Sequence, residues 1–256
     1  LQPENQELHF KILEIRSLQI NQPAREYDFQ KGEVLLFDKP LGWTSFDLVR
    51  KVRNLLSRKL KVKKLKVGHA GTLDPLASGL MVLCTGGATK QIDALQAEEK
   101  EYIATLKIGA TTPSYDLETE EDERFATDHI DRELIEKTLR QFVGVIQQVP
   151  PVFSAVKVDG KRAYDYARKG SDLKLNPKEV VISSIELISF EMPQMVIRVT
   201  CGKGTYIRAL ARDVGEALGS GAYLTGLQRT RSGHFSVEEA FSIDEFLAYM
   251  NSEAEN

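Results

Sequence analysis

Residues 68–79 read GHAGTLDPLASG, a single acid set among glycines, small side chains and leucines. Asp74 is the only carboxylate between Asp47 and Asp93. It precedes Pro75, and a residue before proline is pushed out of the helical region while proline favours the first helical position. The local chemistry therefore predicts an N-capping Asp74 that opens a short helix over 75–80. Gly68, Gly71 and Gly79 go beyond what a cap needs, because glycine lets backbone approach something closely. His69 stands just upstream, but a lone histidine is more often structural than catalytic. The other histidines, His9, His129 and His234, form no constellation with it.

Outward from this motif the charge is uneven. The net charge is −3, yet residues 48–68 hold nine basic side chains and no acid. The compensating acids are segregated into DLETEEDE (116–123) and into the tail after Arg231, which has no Lys or Arg. A charge run is usually a solvated face. One that leads into a glycine-rich motif raises the prospect of a phosphate-facing edge.

With 256 residues, 42% hydrophobic and 28% charged, the chain has the composition of a soluble globular protein. No apolar run approaches a membrane span, and the start lacks a secretory pattern. Cys84 and Cys201 lie far apart among apolar or glycine neighbours, which suits buried thiols rather than a disulfide or zinc framework. VLLFDK (34–39) reads as a strand. Thr44 and Asp47 have capping-box spacing before a helix carrying Leu48, Val49, Val52, Leu55 and Leu56 on one face. YIATLKIG alternates as a strand, 131–143 is helical by pattern, and VVISSIELISF and QMVIRVTC are consecutive strands. TYIRALARDVGEALG (205–219) is a helix with Thr205 as the expected cap and Gly219 as the stop. Without regular βαβ alternation the class is α+β.

Several chemistries find no support in the pattern. No metal-ligand spacing, G-x-G-x-x-G or G-x-S-x-G is present, and GKGT (202–205) is a tight turn rather than a full phosphate loop. Tyr102 reads as a half-buried strand tyrosine. Arg208 sits in the first turn of its helix, where a cation meets an unfavourable dipole, so a buried acid partner is expected.

Five segments in order, DKPLGWTS (38–45), GHAGTLDPLASGLMVLCTGGATK (68–90), KEYIATLKIGATTPSYD (100–116), PPVFSAVKVDGKRAYDYARKG (150–170) and CGKGTYIRALARDVGEALG (201–219), resemble the TruB-type tRNA pseudouridine synthases. The resemblance spans about residues 32 to 235. It implies the pseudouridine synthase fold, a mixed and mostly antiparallel sheet flanked by helices around a basic cleft. It also implies conversion of uridine 55 in the tRNA T-loop to pseudouridine, without cofactor or metal. By it Asp74 is the nucleophile, Tyr102 stacks on the target base and takes part in proton removal, and Arg208 pairs with Asp74. His69 fills the space of the extruded base, Leu227 and Tyr206 contact substrate, and Lys39 and Pro40 support the catalytic loop. The implied partner is the tRNA T-arm stem-loop. Neither a membrane nor an obligate protein partner is expected, and the chain should act as a cytoplasmic monomer.

The expected organisation is a leader over 1–30, a catalytic domain over 31–250 and a tail over 251–256, leaving no room for the C-terminal RNA-binding (PUA) domain of many members. Two rivals are a tRNA chaperone that needs no Asp74 and a guide-RNA-dependent synthase that needs protein partners.

Overall fold

The computed structural model describes residues 17–18, 27–154, 157–158, 161–163, 166, 173 and 175–252. Most of the expected leader and most of KVDGKRAYDYARKG lie outside the described residues. In chain order the first elements are β1 (Ser17–Leu18), β2 (Val34–Lys39), α1 (Ser45–Lys59), β3 (Val67–His69), β4 (Ala77–Thr85), α2 (Ile92–Ala97) and β5 (Lys100–Ile108). There follow β6 (Ala110–Thr111), β7 (Glu123–Arg124), α3 (Arg132–Arg140), β8 (Gly144–Gln148), β9 (Lys157–Val158) and β10 (Lys161–Arg162). The last are β11 (Lys178–Glu191), β12 (Gln194–Cys201), α4 (Ile207–Ala217), β13 (Ala222–Ser232), β14 (Phe235–Ser236) and α5 (Ile243–Ser252). They form two compact units, one from the chain up to Lys100 with Gln228 onward, the other from Glu101–Leu227.

In the first unit β2 pairs antiparallel with β4, from Val34 opposite Cys84 to Lys39 opposite Gly79. β1 runs parallel to β2, and β3 pairs antiparallel with β4. Val34 to Phe37 are all buried, which is why VLLFDK reads as one apolar run rather than an alternating one. The capping box forms as expected: the Thr44 side chain accepts from the Asp47 N–H, and Asp47 reaches back to the Thr44 N–H. Leu48, Val49, Val52 and Leu56 of α1 are buried, each removal from water stabilising by about 1.5–3 kcal/mol. From α5, Phe246 meets Phe37 edge-on at 5.0 Å.

The helix expected over 75–80 does not form. Pro75 and Leu76 make a turn closed by the Ala77 N–H on the Asp74 carbonyl at 3.1 Å, and strand β4 starts at once. The deciding residue is Gly79, at φ +101: a Cβ there would lie 2.3 Å from the Arg229 carbonyl oxygen. Pairing along β2 and β3 buries Leu80 to Thr85, and that long-range gain outweighs the helix-starting preference of Pro75.

In the second unit β5, β12, β11 and β8 lie side by side in that order, with the first half of β13 on the other side of β5. β11 pairs antiparallel with both β12 and β8. Leu106 and Ile108 of β5, Ile197 and Val199 of β12, and Leu210 and Val214 of α4 meet in one core. Helix α4 starts at Ile207, with Tyr206 and not Thr205 at the cap position. The Thr205 hydroxyl donates to the Gly202 carbonyl instead. The cap residue's own side chain makes no capping bond; Gln148 anchors its backbone, accepting from the Tyr206 N–H at 2.9 Å and donating to the Tyr206 carbonyl at 3.2 Å. The far end stops as expected at Gly219 (φ +66), with Ser220 N–H on Gly215 and Gly219 N–H on Glu216. α3 ends at Arg140, short of 143, because Gly144 turns the chain at φ +106 into β8. The α+β class holds in both units. No described helix is long and apolar enough to cross a membrane.

Candidate active site

Asp74 is half-buried on a loop fixed on both sides. Upstream, the buried Ser45 hydroxyl binds both backbone polar groups of Leu73, donating to its carbonyl at 2.9 Å and accepting from its N–H at 2.8 Å. Downstream, the Gly42 N–H donates to the Pro75 carbonyl at 2.8 Å. DKPLGWTS and GHAGTLDP are thus stitched together through the first turn of α1. The earlier half of the loop continues β3, with the Ala70 N–H on the Val82 carbonyl. The backbone on both sides of Asp74 is thus fixed, which limits where its side chain can be presented, and a carboxylate so presented suits nucleophilic work.

Lys39 lies beneath this loop with no exposed surface. Its ammonium donates to the carbonyls of Pro40, at 3.0 Å, and Trp43, at 2.6 Å, holding the exposed Pro40–Trp43 turn. Burial is the main reason its pKa falls to about 8; the Asp74 charge opposes that fall and Arg229 reinforces it. Asp74 therefore has a cation in its field from its own unit. His69 ends β3, and burial, with a smaller push from Arg229, lowers its pKa, so the ring is neutral at pH 7. Arg229 is a residue the sequence reading missed. Only 2% exposed, it donates through Nε to the Leu80 carbonyl at 2.7 Å and through Nη2 to Gly71 at 3.2 Å. Its signal was indirect: Gly71 and Gly79 leave the room that its side chain and backbone occupy.

The second unit carries the remaining candidates. Arg208 is buried in the first turn of α4. It donates to the carbonyls of Phe153, at 2.8 Å, and Ser114, at 3.2 Å, and its Nε lies 3.5 Å from Asp116 Oδ2. The expected buried acid partner is present, and within this unit it is Asp116. That residue closes the family-like segment KEYIATLKIGATTPSYD and opens the acidic run DLETEEDE, but it was not singled out as a site residue and nothing local marked it as buried. Tyr102 is half-buried on β5 and packs on the core of this unit, as does Leu227 on β13. Tyr206 stands at the α4 cap in the grip of Gln148. Cys84 and Cys201 are buried and neither is in a disulfide, and burial pushes the Cys84 thiol up to about 12, so it stays protonated. No group of three His, Cys, Asp or Glu among the described residues is arranged to hold a metal ion.

A family model described as the N-terminal domain of TruB family pseudouridylate synthase matches residues 57–207. A second, the tRNA pseudouridylate synthase B C-terminal domain, matches residues 208–256. A tRNA pseudouridine synthase B of Phocaeicola vulgatus is 60% identical over 226 residues, covering 88% of this chain and 96% of its own. One of Parabacteroides distasonis is 63% identical over 223 residues, covering 86% and 95%. Among solved structures, a chain of a Cbf5-Nop10-Gar1 complex superposes with a TM-score of 0.66 at 28% identity. That match covers 93% of this chain but 62% of the other, so this chain spans less than two thirds of it. The chain belongs to the TruB family of pseudouridylate synthases.

Proposed function

We propose that this enzyme converts uridine 55 in the T-loop of tRNA to pseudouridine, with Asp74 as the nucleophile. The carrying observation is the Asp74 loop: the family's distinctive motif, fixed by Ser45 and Gly42 and backed by the buried Lys39. The tRNA substrate is supported by the curated relatives, each a tRNA pseudouridine synthase B. A uridine inside a folded loop is reachable only when flipped out, at a cost of a few kcal/mol that stacking and pocket interactions offset.

In this reading the Asp74 carboxylate bonds either to the uracil ring or to ribose C1′ as the N1–C1′ bond breaks. The base then rotates, C5 bonds to C1′, and Asp74 is released. The C5 proton leaves and N1 gains one, so the reaction is an isomerisation with no redox change. Arg208 pairs with the Asp74 carboxylate, a charge-assisted contact of guanidinium with carboxylate. Tyr102 stacks on the base and assists proton removal. The neutral His69 ring fills the place of the extruded base, Leu227 and Tyr206 line the pocket, and Lys39 and Pro40 support the loop. The T-arm stem-loop supplies the RNA surface that is gripped, and the enzyme works as a cytoplasmic monomer without an obligate protein partner.

The test is to incubate the purified chain with unmodified tRNA transcript and map pseudouridine by nucleotide. Modification at position 55 is expected. No pseudouridine, or pseudouridine only elsewhere, contradicts the assignment.

A further inference from the structure

We infer that Arg212 is a positioning residue: stacked on the Tyr115 ring, it braces the turn that holds Arg208. The inference rests on the reading that Arg208 serves Asp74. Arg208 and Arg212 are one turn apart on α4 and so project to the same side. Two of the groups on the Arg208 guanidinium, the Ser114 carbonyl and the Asp116 carboxylate, come from the single turn between Thr112 and Asp116. That turn passes through Tyr115 at φ +61, a left-handed conformation that bulky side chains rarely adopt. Its backbone is tied internally, by the Tyr115 N–H on Thr112 and by the Thr112 and Ser114 hydroxyls on the Asp116 carbonyl.

The Tyr115 side chain is secured by Arg212, whose guanidinium lies 4.9 Å from the ring centroid. A cation over an aromatic face is attractive, more so where it is desolvated, and the Arg212 side chain is only 13% exposed. Arg212 cannot swing away, because Asp213 Oδ1 accepts from its Nε at 2.8 Å and its Nη2 at 2.6 Å. Nη2 also donates to the Val149 carbonyl at 3.1 Å. Val149 follows Gln148, the residue that anchors the Tyr206 backbone at the start of α4, and Phe153 four residues on accepts from Arg208. The brace therefore joins the three pieces that fix the Arg208 guanidinium: its own helix, the Thr112–Asp116 turn and the 148–153 segment. Without it Tyr115 relaxes toward ordinary backbone angles and carries Ser114 and Asp116 with it.

The experiment measures single-turnover rates and dissociation constants of the full chain on a T-arm stem-loop RNA. Arg212→Ala and Tyr115→Ala should each slow turnover about tenfold or more, a barrier rise of roughly 1.4 kcal/mol, with RNA affinity within about twofold. Because both remove one brace, the double variant should be no slower than about twofold beyond either single variant. Tyr115→Phe, which keeps the ring, should be several times faster than Tyr115→Ala. An Arg212→Ala rate near wild type, or single effects that multiply, overturns the brace. If Arg212→Ala does not fold, equal rates for Tyr115→Phe and Tyr115→Ala overturn it. Wild-type turnover by Arg208→Lys would overturn the underlying reading of Arg208, whereas loss there with an unchanged Arg212→Ala rate overturns the brace alone.

Discussion

Replacing Ser45 by alanine removes one oxygen from the interior and unties the loop before Asp74. Ser45 Oγ satisfies both the N–H and the carbonyl of Leu73, a residue 4% exposed. A buried polar group left without a partner costs about 1–3 kcal/mol. Two such groups, with partial relief from an entering water, put the destabilisation near ~3 kcal/mol. For a chain of this size Tm falls by about 2–4 °C per kcal/mol, so thermal melts should show it lowered by roughly 6–12 °C. Because Leu73 is bonded to Asp74, single-turnover rates should also fall, while RNA affinity holds. Thr44→Ala, one residue away, is the control: it removes an exposed N-cap worth about 1 kcal/mol and leaves the Leu73 grip intact. A Ser45→Ala protein with Tm and rate no worse than Thr44→Ala would refute the claim that this hydroxyl fixes the loop.

Lys39 should make stability rise with pH in an unusual window. Its folded pKa is about 8 against 10.5 in the unfolded chain, so the unfolded state binds the proton more tightly and folding gains as pH climbs between those values. The difference from Lys39→Met in urea melts should change by something on the order of 3 kcal/mol across that window; a constant difference contradicts the buried ammonium. Lys61, Lys63 and Lys64 are all exposed. Their joint replacement by alanine should weaken tRNA binding and flatten the log–log salt slope by roughly 0.7–0.9 for each phosphate no longer neutralised, whereas an unchanged slope would mark the run as solvated surface only.

Much of the architecture was legible because its causes are local. VLLFDK, the Thr44–Asp47 capping box and the Gly219 stop carry their instructions within a few residues. The misread elements are those decided at long range. Asp74-Pro75 has the chemistry of a helix start, yet the backbone of Arg229 against Gly79 and the partners of β4 impose a turn and a strand. Thr205 looked like a cap, but the cap position falls on Tyr206, whose backbone is anchored by Gln148, distant in sequence and near only in the fold. The site shows the same division. Asp74, Lys39 and Pro40 lie in motifs that announce themselves. Asp116 and Arg212 lie inside the family-like segments yet were not singled out, since burial of a charge cannot be seen before its partners are placed.

The most direct test of the account is single-turnover pseudouridine formation by Asp74→Asn, with tRNA affinity measured in parallel. On the proposed mechanism one carboxylate does the bond-making while many other groups bind RNA. The account therefore predicts no product at any time point, with affinity within about tenfold of wild type, or roughly 1.4 kcal/mol. Pseudouridine made by that variant at an appreciable rate would contradict the role of Asp74 and with it the mechanism.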